Sequence, residues 1–317
     1  MDAHAIQPAD MPPAGHGDVN DARTAPRGAA DAASRWDAGW SGDPGRRIYT
    51  AMHLPEGRRQ ASAILLVAPL FHELPRSRRL LTEMASHLAS LGFPAMQFDF
   101  YGMGDSMGLG EDTDFDSMRR DLRVAEASLR ERIHADSRDR LIVIAFRGGA
   151  LPVMSWIAAG ARPDLVVLWE PILDGLNWLQ ELEREDAAER RSPGRYSSIR
   201  TGRQRDSDDD AGDDLQLMGV AASRKLREDL AEFGMPPPEA REHVAFWAVT
   251  RPHMRALELD PEFGLALDAD APEFGGGTRM ESALFLSPGV RAIVDALGQA
   301  MLAWSGAAAR ADGGAGS

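Results

Sequence analysis

The stretch from Arg140 to Ala159, RLIVIAFRGGALPVMSWIAA, constrains this chain more than any other. A short apolar run, Leu141 to Phe146, meets the pair Gly148-Gly149 and then a helical pattern. That order predicts strand, sharp turn and helix. Pro152 fits only if the helix has just begun, because in the first turn its missing N–H leaves no hydrogen bond unmade. The turn therefore centres on Arg147. The G-x-S-x-G pattern that presents a nucleophilic serine on such a turn maps onto Ala145-Phe146-Arg147-Gly148-Gly149, with arginine where the serine belongs.

The segments around this turn alternate. RRIYTAMHLP from Arg46 predicts an edge strand, and ASAILLVAPL a buried strand ending at Pro69. Arg76 to Leu91 places Leu80, Leu81, Met84, Leu88 and Leu91 at helical spacing, and Gly92 stops the helix. PAMQFDF reads as a strand, Tyr101 to Gly108 as a glycine-rich turn, and Asp116 to Ile133 as a charged amphipathic helix. Leu165 to Trp169 adds a buried strand, His243 to Thr250 a late one, and Val290 to Trp304 the closing helix. A doubly wound, mostly parallel α/β sheet is the economical arrangement.

Two stretches stand outside this alternation. Residues 1 to about 44 hold almost no branched aliphatic side chains and read as a disordered arm. The charged run from Gln180 to Asp214 reads as an insertion over the sheet without a core of its own. LQLMGVAASRKLREDL after it is expected to form an amphipathic helix of the same cap, and the Ala/Gly-rich tail at 306–317 reads as loose. The net charge of -14 argues against a nucleic-acid surface. No apolar run approaches the roughly 20 residues that a spanning helix needs, so no membrane insertion is expected. The chain has no cysteine, which removes thiol catalysis and thiolate metal sites. Neither a metal nor a cofactor is expected, and a cytoplasmic location is the default.

Four further segments carry a resemblance: Pro69-Leu-Phe-His-Glu-Leu-Pro-Arg-Ser-Arg-Arg79, Asp99-Phe-Tyr-Gly-Met-Gly-Asp-Ser106, Phe146-Arg-Gly-Gly149, and Leu168-Trp-Glu-Pro171 with Gly175. Together they resemble the α/β-hydrolase superfamily and, more narrowly, the exosortase A system-associated hydrolases, which are serine-aminopeptidase-like proteins encoded with bacterial exopolysaccharide export systems. The resemblance runs from about Arg46 to Trp304. It implies an α/β-hydrolase domain over residues 45–305 with a cap at about 180–240, inserted after the sixth strand. It also implies a protein partner in polysaccharide export.

The catalytic parts do not follow. A serine hydrolase needs a hydroxyl nucleophile, a base, an acid that orients the base, and two N–H donors for the oxyanion. Only the donors are expected, at Gly148 and near Leu70 or Phe71. A guanidinium cannot serve as the nucleophile. No histidine occurs from Asp260 to Trp304, where the base would fall, and His253 reads as a surface-loop residue rather than a displaced base. A literal G-x-S-x-G does occur at Gly104 to Gly108, but LGEDTD follows it, not a helix. Ser106 therefore reads as part of a turn, and no catalytic residue is assigned.

Arg147 stands where free N–H groups collect at a helix start, a place that attracts an anion. Two readings remain. Either Glu170, Glu73 or Asp174 neutralises Arg147 internally, or a carboxylate, phosphate or sugar acid meets it as ligand. The expected binding residues are Arg147, Gly148, Leu70, Phe71, Glu170 and Asp174. The expected function is a catalytically degenerate hydrolase, a pseudoenzyme that binds a small anionic or acyl ligand or a partner in exopolysaccharide biosynthesis. The alternatives are an active ester, thioester or amide hydrolase with a non-standard site, and a scaffold that docks partners through its charged insertion.

Overall fold

A computed structural model describes residues 35–136, 139–191, 216–252, 254, 259–268, 271, 273–274 and 284–314. Its strands are β1 (Arg35–Asp43), β2 (Arg46–Leu54), β3 (Ser62–Val67), β4 (Ala95–Phe98), β5 (Arg140–Phe146), β6 (Leu165–Trp169), β7 (Gln216–Leu217), β8 (Val220–Ala221), β9 (Ala245–Thr250) and β10 (Phe263–Ala266). Its helices are α1 (Glu73–Ser90), α2 (Phe115–Arg132), α3 (Ala150–Ala158), α4 (Gly175–Arg191), α5 (Arg224–Ala231), α6 (Pro238–Arg241) and α7 (Pro288–Gly314).

Eight strands form one sheet in the order β1-β2-β4-β3-β5-β6-β9-β10. From β4 through β10 every neighbour is parallel, and β2 runs antiparallel to both β1 and β4. SAILLV and LVVLW are buried at every position, as strands covered on both faces must be. One face packs α2, α3 and the cap through Met118, Leu122, Leu151, Trp156 and Trp178. The other packs α1 and α7 through Leu81, Met84, Leu88, Val294 and Leu297. Asp114 caps α2 by accepting the Ser117 N–H at 2.6 Å. Gly92, at φ 97°, takes the left-handed step that ends the turn after α1. Among the described residues no helix is long and apolar enough to cross a membrane.

The structure departs from the sequence reading in several places. Residues 35–43, read as part of a disordered arm, form β1, so β2 is an inner strand and not the edge; residues 1–34 lie outside the described residues. β1 escapes hydrophobicity analysis because it is mostly exposed; it is held by its pairing with β2 and by polar contacts to α2, such as Ser41 Oγ with Ser128 Oγ at 2.8 Å. The cap begins at Gly175. Residues 180–191 belong to α4, whose Trp178, Leu179 and Leu182 reach the core, while 192–215 lie outside the described residues. The expected single helix over 215–230 is a β7–β8 hairpin followed by α5, because Met218 at φ 53° and Gly219 at φ 75° make a turn that no helix accommodates. α1 starts at Glu73 rather than Arg76, and the tail is helical as far as Gly314. α4, the β7–β8 hairpin, α5 and α6 lie between β6 and β9 in chain order.

Candidate functional site

The loops at the C-terminal ends of β3, β5, β6 and β9 bring Glu73, Arg147, Glu170 and Arg251 to the same edge of the sheet, with alternating charge. Arg147 follows β5 at φ 51°, so the elbow is built as a left-handed step that a side chain tolerates poorly. Residues 147–149 make a short 3-10 turn that feeds α3. The glycines after it are required by close approach: a Cβ on Gly149 would strike the Ala68 carbonyl oxygen, and one on Gly148 the Trp178 indole. Phe71 at φ 54° and Glu170 at φ 44° take the same strained step after β3 and β6.

Arg147 is held from inside. Its Nε donates to Glu73 Oε1 at 3.2 Å and Oε2 at 3.4 Å, its Nη2 to Glu73 Oε1 at 3.2 Å, and its Nη1 to the Glu170 main-chain oxygen at 3.3 Å. The Glu73 side chain is 2% exposed and that of Arg147 22%. Burial pushes the Glu73 carboxyl above the ordinary glutamate range, and the attraction of Arg147 only partly offsets it.

Glu170 and Asp174 do other work than neutralising Arg147. The Glu170 carboxylate accepts from Arg251 Nε at 2.7 Å and Nη2 at 3.3 Å, with the two side chains 6% and 3% exposed. Glu170 was an attractive partner in sequence because it ends the adjacent strand, but its side chain turns toward β9, and only its carbonyl reaches Arg147. Asp174 is exposed and accepts the Asn177 N–H at 2.9 Å in the first turn of α4. The choice of Glu73 as partner was one of three in the sequence. What decided it is the start of α1 immediately after Phe71, which sets Glu73 at a helix N-terminus facing the elbow.

The residues expected to donate to an oxyanion are buried. Leu70 and Phe71 are buried, and the Trp178 indole lies against Gly148 and against the Phe71 ring, whose centroid is 5.4 Å away. Beside Phe71 opens a cleft of about 250 Å³ between α1, the Gly102–Gly104 turn and β8, lined by Leu74, Pro75, Arg78, Met103, Val220 and Ala221 among others. Phe71 lines it; Arg147, Gly148, Leu70, Glu170 and Asp174 do not. The cation at its rim is engaged, since Arg78 donates to Asp99 at 2.7 Å and Asp105 at 2.8 Å.

Ser106 is a turn residue. Its Oγ donates to the Asp99 carbonyl at 2.6 Å and accepts the Tyr49 N–H at 2.8 Å, which ties the glycine turn to β2. His253 lies outside the described residues. The histidine that sequence reading passed over is His72. It is buried at the start of α1, its Nδ1 has no hydrogen-bond partner among the described residues, and burial holds its pKa below the ordinary value. No hydrophobic or motif signal marks it, because its surroundings come from the cap and the elbow, which meet only in the fold. Among the described residues no group of three or more His, Asp and Glu side chains is arranged to hold a metal ion.

Est1E from Butyrivibrio proteoclasticus, a structure with ferulic acid bound, superposes with a TM-score of 0.52 at 11% identity, over 84% of this chain and 98% of that one. DcsB, in complex with a substrate analogue, does so with a TM-score of 0.51 at 14% identity, over 84% and 98%. The fold is that of the α/β-hydrolases. An alpha/beta hydrolase named GrgF from Penicillium sp. sh18 overlaps less well, with a TM-score of 0.47 at 14% identity over 69% and 81%. No family model and no curated protein matches the sequence. At such identities an α/β-hydrolase likeness establishes architecture, and function has to be argued from the site.

Proposed function

We propose that this chain is a catalytically degenerate α/β-hydrolase that binds a small acyl-bearing ligand without hydrolysing it, in the exopolysaccharide systems to which its motifs bear a resemblance. The observation that carries this reading is the engagement of Arg147 by Glu73 at the elbow. The residue in the nucleophile's place is a cation bound to an internal carboxylate, and Gly148, Leu70 and Phe71, where the oxyanion donors are expected, are buried. Acyl transfer needs an activated nucleophile facing an open oxyanion site.

An acyl ligand is favoured over a purely anionic one. Both arginines that could meet an anion are paired, Arg147 with Glu73 and Arg78 with two aspartates, so an incoming anion would have to displace a carboxylate. The cleft beside Phe71 is largely apolar and suits a short acyl chain. The test is the melting temperature of the protein with octanamide, a neutral acyl amide, beside sodium octyl sulfate. Saturable stabilisation by the amide, lost in Ala221→Trp, which fills the cleft, supports the reading. Turnover of an acyl ester by the parent protein overturns it.

A second reading rests on His72. A buried imidazole close to the elbow, its Nδ1 unpartnered among the described residues, is the arrangement from which a base for water attack could be built. Under that reading the parent protein hydrolyses activated esters slowly, and His72→Ala abolishes the turnover.

A further inference from the structure

The two ends of the sheet are unlike. β10 is four residues long, a short edge of the sort that discourages pairing. β1 is nine residues long, RWDAGWSGD, and contains neither lysine nor proline. Among the described residues no strand pairs with its outer side. Trp36 and Trp40 lie on one face of it, each 57% exposed. A long edge strand with large exposed aromatics is a template for another strand, and soluble proteins normally blunt such an edge.

The sequence of β1 is complementary to itself. In an antiparallel pairing of two copies about a twofold axis at Gly39, residue 35 faces residue 43 and residue 37 faces residue 41. Arg35 then meets Asp43 of the second copy at both ends of the ladder, and Asp37 meets Ser41. Among the described residues neither Arg35 nor Asp43 forms an ion pair within its own chain, and both are exposed. Trp36 stands opposite Gly42, which leaves the extended course at φ 101° and carries no side chain, and has Trp40 of the second copy as its diagonal neighbour, a distance that aromatic side chains bridge. Trp40 faces Ala38. The pairing places no like charges opposite each other.

We propose that two copies of this chain associate through β1 in that register, joining their sheets into one. Main-chain hydrogen bonds along β1 supply the association, and the Arg35–Asp43 pairs with the tryptophan face set the register. The interface is one strand wide, at the small end of stable association, so dissociation on the order of micromolar is expected.

The test is sedimentation of the full-length protein from about 1 to 100 μM, with Arg35→Asp, Asp43→Arg and the double exchange compared. The expected result is a monomer–dimer equilibrium that either single change weakens at least tenfold and that the double exchange restores. Trp36→Lys weakens it independently of the charge pair. Far-UV circular dichroism and melting temperature matching the parent show that a variant has kept its fold. A parent that stays monomeric at every concentration overturns the proposal, leaving the edge to the chain's first 34 residues or to another protein. A dimer that is indifferent to all of these changes overturns it equally.

Discussion

Glu73, the first residue of α1, and Arg147, the elbow residue that follows β5, hold each other across the ends of two adjacent parallel strands, 74 positions apart in sequence. The contact extends on both sides. Arg147 also reaches the Glu170 carbonyl, and Glu170 in turn holds Arg251, so alternating charges close the C-terminal edge of β3, β5, β6 and β9. In this fold that edge is where the chemistry of a hydrolase takes place. In this chain it is tied down by ion pairs.

Removing the cation should leave a buried carboxylate stranded. Arg147→Ala is expected to lower stability by about 3 to 5 kcal/mol at neutral pH, measured by chemical denaturation. In the Glu73→Gln background the same substitution should cost much less, because a neutral amide needs no counter-charge. Equal losses in both backgrounds would show that the two residues are not coupled.

The pH dependence follows from the direction of the Glu73 shift. Its folded pKa lies above the ordinary value, so between the two the native state binds more protons than the unfolded chain, and stability contributed at this site is lost as pH rises through that window. Glu73→Gln abolishes the titration. The stability of Glu73→Gln minus that of the parent should therefore increase as pH rises from the ordinary glutamate range upward, then level off. A difference that falls over that interval would mean that Arg147 outweighs burial at Glu73.

The sheet was legible because β3, β5 and β6 are apolar at nearly every position and the helices between them keep a regular apolar spacing. The elbow at Arg147 was legible for the same reason: an apolar run, a glycine pair and Pro152 leave little freedom in where the chain turns. β1 was not, since its apolar positions, Trp36, Ala38 and Trp40, are few, two glycines interrupt the run, and it adjoins a segment poor in branched aliphatic side chains. The partner of Arg147 could be narrowed to three carboxylates but not chosen, because choosing requires knowing where a side chain points once α1 has started. His72 was missed altogether, because its burial depends on elements distant in sequence.

Restoring a hydroxyl at the elbow separates the two functional readings. Arg147→Ser in the Glu73→Gln background keeps the turn and removes the stranded charge. With no base positioned for it, the new serine should leave p-nitrophenyl ester turnover within a few-fold of the parent. A clear gain that disappears on adding His72→Ala would identify His72 as a working base and favour the second reading.

The most direct measurement is the intact mass of the parent protein after incubation with a fluorophosphonate, which reports any activated serine without assuming a substrate. No adduct is expected: Arg147 and Glu73 close the elbow, and Ser106 is committed to the Asp99 carbonyl and the Tyr49 N–H. A stoichiometric adduct on Ser106 or any other serine would contradict that expectation and return this chain to the working hydrolases.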